Sequence, residues 1–206
     1  MIKISKHIQN TQNYLNQSLT DLLTDNNIKT IDNIIEDIIK TVNNKGKVIF
    51  TGIGKNVYAA QKLAASYSSI GIPSFFLDAV HAVHGDIGVM NDNDLLICMS
   101  KSGNTSELIN TLIHINNNKK TFKFKVIGID CNPDNENGFN KYCDYSLSIK
   151  TDNELDILNM VPTISLLMIQ IVGDIIGIEA SEQLGFSSEK FSINHPGGSI
   201  GKALSK

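Results

Sequence analysis

Residues able to do chemistry fall in four short segments, and in each the spacing limits what the segment can do. Gly52-Ile53-Gly54-Lys55 follows a short apolar run and ends in a cation. A phosphate-cradling Walker loop needs four residues between its first glycine and a Gly-Lys-Ser/Thr, whereas here Asn56 follows the lysine. A dinucleotide-binding turn would need a third glycine near Val57. Neither motif is met. What remains is a tight turn in which Gly52 and Gly54 bring backbone close to a ligand and aim Lys55 at it. The plainer alternative is a surface lysine after a glycine turn.

The second segment runs from Ser100 through Ser102, Gly103, Asn104, Thr105 and Ser106 to Glu107, then into the helical pattern of Leu108, Leu112 and Ile113. Hydroxyl donors, a permissive glycine and the unpaired N–H groups of a helix start make a good phosphate monoester site. Ordinary capping also uses Ser, Thr and Asn, with Glu107 completing a capping box. Four hydroxyl residues lie within seven positions, more than one cap needs, and this favours anion binding.

Two further segments carry histidine. His81 and His84 are three apart, yet no cysteine or third ligand of clear spacing stands near them, so a metal site is the weak reading. His84, followed by Gly85 and Asp86, suits proton transfer near neutral pH. Near the end of the chain, His195 precedes Pro196, Gly197 and Gly198. Proline fixes the backbone there and the glycines permit close approach, although the same four residues also make an ordinary turn.

These loops need a frame. Apolar residues from Ile2 to about Asn43 recur at helical spacing, as in Ile28, Ile31, Ile34, Ile35, Ile38 and Ile39, which predicts two or three amphipathic helices. Short apolar runs follow at Lys47 to Thr51, Ser74 to Leu77, Leu95 to Met99, Lys125 to Ile129 and Tyr145 to Ile149. Most are separated by helix-length segments. That alternation predicts an α/β fold, a three-layer α-β-α sandwich around a five-stranded, mainly parallel sheet, with helices at the N-terminus. Ligands bind such sheets outside the carboxyl ends of the strands, where the loops above begin.

Composition narrows the partners. The chain has 206 residues, enough for one compact unit, and a formal net charge of -3. No basic face of the kind nucleic acid or an anionic membrane demands is expected, so a small molecule is the better partner. The Met1 to Leu19 region has neither a continuous apolar core nor an Arg-rich transit composition. The longest apolar stretch, around Ile164 to Ile178, is interrupted by Ser165, Gln170, Gly173 and Asp174. A cytoplasmic location is expected. Cys98, Cys131 and Cys143 are scattered without CxxC spacing and read as buried free thiols.

Together the four segments resemble the sugar isomerase (SIS) domain, and within it the D-arabinose 5-phosphate isomerase branch. "TGIGKN" is similar to that branch's lysine loop, "VHGDIGVM" to its His-Gly-Asp segment, "SKSGNTSEL" to its serine-rich phosphate loop and "FSINHPGGSIGKAL" to its C-terminal histidine signature. The similarity runs from about Ile34 to Leu204. It implies a single SIS domain over residues 1–206, with a helical segment at 1–45 and the sheet core and C-terminal site segment at 46–206. Many members continue into a pair of CBS domains; this sequence stops at Lys206, so the expectation is a short form without that module.

The resemblance implies catalytic roles for Lys55, His84, Glu107, Glu154 and His195. It also implies phosphate binding by Ser100, Ser102, Gly103, Asn104 and Thr105, substrate-loop roles for Gly52 and Gly54, and no metal or cofactor. Glu154 is aligned through the Pro162-Thr163 landmark, with Asp152 and Asp156 as alternatives. The implied reaction moves a proton between C1 and C2 of D-arabinose 5-phosphate and D-ribulose 5-phosphate through an enediol, supplying the pathway to Kdo, the acid of lipopolysaccharide and capsules. Glu154, tuned toward neutrality, is expected as the carbon base, although either histidine can fill that role. Lys55 would stabilise the enediolate, and Glu107 would orient Lys55 or a sugar hydroxyl. A homo-oligomer, a tetramer with sites between subunits, is implied. Two alternatives stand beside this reading. One is an isomerase of another sugar phosphate, with Asn104 as the discriminating residue where relatives often carry an acid. The other is a non-catalytic sensor, which would not need the acid–base set.

Overall fold

A computed structural model describes residues 2–134 and 138–197. Two helices, α1 (Ile2–Asp21) and α2 (Asp25–Asn43), precede the first strand. Thr24 opens α2 by accepting a bond from the Asn27 N–H, and Ile34, Ile35 and Ile38 form its buried stripe, the face predicted by their spacing.

Five strands follow: β1 (Val48–Gly52), β2 (Ser74–Phe76), β3 (Leu95–Ser100), β4 (Lys125–Asp130) and β5 (Tyr145–Ser148). They form one sheet in the order β2-β1-β3-β4-β5, and every neighbouring pair is parallel. The expected mainly parallel sheet is thus wholly parallel, because every connection between strands crosses back over a face. The connecting helices are α3 (Asn56–Ser69), the short α4 (Ala79–Ala82), α5 (Ser106–Asn117), α6 (Ile164–Gln183) and α7 (Ser188–Asn194), the last two after β5.

Alternate strand residues feed two cores. Val48, Phe50, Ile97, Met99 and Ile127 pack with α2, α3 and α6, while Ile49, Leu96, Cys98 and Val126 pack with α4 and α5. Both faces of the sheet are therefore covered, which is why β1 and β3 are apolar without a polar side. Cys98 and Cys131 are buried and Cys143 half-buried, all unpaired. Burial pushes the Cys131 and Cys143 thiols up to about 12, away from nucleophilic thiolate chemistry.

Helix α6 holds the large core together. Gly173 and Gly177 let it approach α3 so closely that an added Cβ would lie 2.5 Å from Leu63 and 2.3 Å from Tyr67. The Tyr67 hydroxyl donates to the Gly173 carbonyl at 2.8 Å. Contrary to the expectation from its interrupted sequence, α6 is long and apolar enough to cross a bilayer; yet 56% of that stretch is buried inside the fold, the mark of a core helix. It leaves Leu167, Ile175 and Ile178 exposed on its outer side.

Candidate active site

In a doubly wound sheet, a crevice opens where adjacent strands send their connections to opposite faces. Here that point lies between β1 and β3, whose ends are paired through Gly52 and Met99. The lysine loop leaves β1 and the serine loop leaves β3, so the two segments flank one crevice.

The lysine loop needs both glycines. A Cβ on Gly52 would lie 2.9 Å from the Asn56 Cβ and 3.1 Å from the Met99 carbonyl oxygen, and Gly54 has φ +63°. Lys55 stands at the N-cap of α3, exposed, and forms no ion pair among the described residues. Beside it the Asn56 Oδ1 is buried without a hydrogen-bond partner among the described residues, an acceptor that a ligand hydroxyl can satisfy.

The serine loop is organised from inside. Buried Ser100 accepts from the Gly103 N–H at 3.0 Å and lies 3.4 Å from the Thr105 hydroxyl, while Ser102 accepts from the Asn104 N–H at 3.2 Å. Gly103 is buried at φ +71°, a conformation that excludes most side chains. Thr105 is the N-cap of α5 but makes no capping side-chain bond. Thr105 therefore leaves the start of α5 without an N-cap bond, and the helix dipole favours an anion there.

Glu107 does not complete the expected capping box. Its carboxylate is exposed and folds back on its own backbone N–H and on Ser106, whose hydroxyl donates at 2.9 Å. Those bonds, its own N–H first, hold its carboxyl below the ordinary value. A glutamate at the second helical position cannot reach the N-cap N–H that a box requires.

His84 reaches the same end of the sheet by way of β2. The turn after α4 is anchored by Ala82 and Ile87, which share a cluster with Ile53 of the lysine loop and Leu108 of α5. The Thr111 hydroxyl of α5 donates to the Ala79 carbonyl at 2.8 Å. Exposed His84 thus sits on a turn packed against α5, in the same apolar cluster as Ile53 of the lysine loop. Among the described residues no group of three His, Cys, Asp or Glu side chains could hold a metal ion.

Glu154 departs most from expectation. It is 6% exposed, pairs with Lys101 at 2.7 Å, and accepts from the Thr163 N–H at 2.7 Å, the Thr163 hydroxyl at 2.9 Å and the Ser165 hydroxyl. Burial alone would raise its carboxyl, but Lys101, Ser165 and Thr163 outweigh burial and hold it at about 2. The structure corrects the expectation of a carboxylate tuned toward neutrality: Glu154 is a saturated anion at the start of α6. Lys101, the ion-pair partner of Glu154, is the neighbour that sequence reading missed. Its only signal was a cation set directly between two serines.

His195 lies apart from the others. It follows α7, whose Asn194 side chain donates to the Ser69 carbonyl at the far end of α3. The Phe186 ring, just before α7, packs on Gly71 there. Lys55 begins α3 and Ser69 ends it, so the 14-residue helix separates them by roughly 20 Å. His195 stacks on Phe191 at 3.9 Å, and its Nδ1 lies 2.9 Å from the Phe191 carbonyl. A carbonyl can only accept, so Nδ1 carries the proton and the neutral ring keeps its lone pair on Nε2. Gly198 and the residues after it lie outside the described residues.

The SIS domain family model matches residues 41–172. The chain belongs to the SIS domain family. Among SIS relatives, it is 38% identical over 189 residues to uncharacterized protein RP505 of Rickettsia prowazekii, covering 92% of this chain and 56% of that one. It is 34% identical over 160 residues to arabinose 5-phosphate isomerase KdsD of Pseudomonas aeruginosa, covering 78% of this chain and 47% of the relative. The chain thus spans about half the length of the curated relatives it matches. The structure of c3406 from E. coli CFT073 in complex with arabinose 5-phosphate superposes with a TM-score of 0.81 at 30% identity, covering 95% of this chain and 97% of that one.

Proposed function

We propose that this SIS protein is an aldose–ketose isomerase that interconverts D-arabinose 5-phosphate and D-ribulose 5-phosphate, feeding Kdo synthesis in the cytoplasm. The observation that carries the reading is the meeting, across one crevice, of a lysine with no ion pair among the described residues and a hydroxyl-rich helix start that its N-cap Thr105 leaves without a side-chain bond. The likeness in fold to c3406, named as a complex with arabinose 5-phosphate, supports the same ligand class.

In this reading the α5 N-terminus, with Ser102, Gly103, Asn104 and Thr105, holds the phosphate, and Ser100 shapes the turn behind it. Binding energy from that non-reacting end orients C1 and C2. A base takes the proton from C2 of the open-chain aldose. The C1 oxygen gains a proton, and a cis-enediol forms. Loss of the O2 proton and return of a proton to C1 give the ketose. Atoms and electrons balance without a redox cofactor. Lys55 stabilises the negative charge that develops on oxygen, and Glu107 steadies Lys55 or a sugar hydroxyl.

Glu154, already saturated with donors, is better suited to hold Lys101 than to take a proton from carbon. We assign the carbon base to a histidine, His195 through its Nε2, with His84 moving protons between the sugar oxygens. Since His195 is roughly 20 Å from Lys55 along α3, it serves the crevice of another copy, and the working form is a homo-oligomer, a tetramer in the manner of the family.

The direct test is to incubate purified protein with D-ribulose 5-phosphate in deuterated water and follow the sugar by NMR. Arabinose 5-phosphate carrying deuterium at C2 is expected. Binding without any aldose would point to a sensor or a different sugar phosphate.

A further inference from the structure

The serine loop is braced from beyond β4 in a way that none of its own residues explains. Three successive carbonyl oxygens, those of Lys101, Ser102 and Gly103, accept from the Cys131 N–H at 3.1 Å, the Asn132 side-chain amide at 3.3 Å and the Phe139 N–H at 2.8 Å. All three donors lie between β4 and β5. An anion-binding loop must turn the negative ends of its peptide dipoles away from the anion, and these three bonds do that.

The donors are themselves organised by one carboxylate. Asp130, the last residue of β4 and the register partner of Ser100, is fully buried. Its Oδ1 accepts from the Asn132 N–H at 2.8 Å, and its Oδ2 from the Asn140 amide at 2.9 Å and the Ser148 hydroxyl at 3.1 Å. Asn132 is therefore held at its backbone by Asp130 while its side chain holds Ser102. Asn140 follows Phe139, the donor to Gly103. A buried carboxylate with three protein donors costs desolvation, and the organised turn is what that arrangement yields.

We propose that Asp130 is a positioning residue for phosphate binding, acting through Asn132 and the Phe139-Asn140 turn to fix the carbonyls of the serine loop. This rests on the isomerase reading for its substrate, but the anion it concerns can be probed without it. An amide at position 130 keeps the shape and only one acceptor oxygen, so at least one of the three donors must lose its partner.

The test compares Asp130→Asn, Asn132→Ala and Asp94→Asn with the unmodified chain. Asp94 is the control: it is 3% exposed and accepts from the Lys47 and Asn91 N–H groups, at the opposite end of the sheet. Asp130→Asn and Asn132→Ala should raise KM for D-ribulose 5-phosphate about tenfold with kcat within about threefold, and weaken inorganic phosphate as a competitor in parallel. Asp94→Asn should lower the thermal midpoint while KM and phosphate affinity stay unchanged. If Asp130→Asn does not fold, Asn132→Ala alone decides. Unchanged KM and phosphate affinity in the folded variants would overturn the proposal. If the unmodified chain turns over no pentulose phosphate, the isomerase reading fails, and phosphate binding measured by phosphorus NMR still separates the outcomes: weaker in the variants supports the positioning role, equal binding removes it.

Discussion

The Lys101 ammonium lies 2.7 Å from the Glu154 carboxylate, so the loop after β3 is tied to the segment that starts α6. The folded carboxyl is held at about 2 against an ordinary value of 4.5. A depressed folded value contributes stability that is complete above the ordinary value and is lost as pH falls from 4.5 toward 2. Glu154→Gln leaves Lys101 without its partner and should cost roughly 3 kcal/mol, a fall of roughly 6–12 °C in thermal midpoint. Part of the acid destabilisation in that window should disappear with it. A melting series from pH 7 to pH 2 reads both effects; an acid limb identical to that of the parent chain would refute the assignment of the carboxylate.

Lys55 is exposed and forms no ion pair among the described residues, so removing it should leave the fold alone. Lys55→Ala should lower kcat on the order of a hundredfold through loss of charge stabilisation at the enediolate oxygen. The thermal midpoint should stay within about one degree, as for a surface substitution. Steady-state kinetics paired with a melting curve is the check, and retained turnover would remove Lys55 from the chemistry.

His195 lies at the Ser69 end of α3 and Lys55 at the other. If one copy supplies the lysine and another the histidine, Lys55→Ala and His195→Ala proteins should each be strongly impaired alone. Mixed by unfolding and refolding together, they should regain a fraction of activity, because some sites then combine two intact residues. Sedimentation should report an oligomer. No recovery in a mixed oligomer would mean that each copy uses its own histidine.

Gly177 meets Tyr67 with no room for a methyl group, since an added Cβ would lie 2.3 Å from the ring. Gly177→Ala should destabilise the chain by roughly 1–3 kcal/mol through overpacking, even though alanine is the better helix former. Urea unfolding would show a lower midpoint at an unchanged slope. Equal or greater stability would mean that α6 can shift away from α3 freely.

Much of this architecture was legible without coordinates. Each of the five runs became a strand within one residue of its expected ends; the inner strands β1, β3 and β4 are buried on both faces and so read as nearly continuous apolar runs, while the edge strands β2 and β5 are only half-buried and carry serines. The helix-length segments between most of them dictated parallel pairing, and parallel pairing put the loops after Gly52 and Ser100 at one end of the sheet. Those are consequences of local pattern and chain connectivity. The environment of each charged group was not local. Glu154 owes its low value to Lys101, more than fifty positions earlier, and to Thr163 and Ser165 after it. Asp130 serves the serine loop through Asn132 and Asn140. His195 was drawn toward the active site by its motif, yet α7 packs at the opposite end of α3. Spacing along the chain determined which residues could share a loop. Only the tertiary structure decided which carboxylate is saturated, which lysine lacks an ion pair among the described residues and which histidine stands at the far end of α3 from that lysine, because desolvation and hydrogen bonding depend on what the fold brings within a few ångströms.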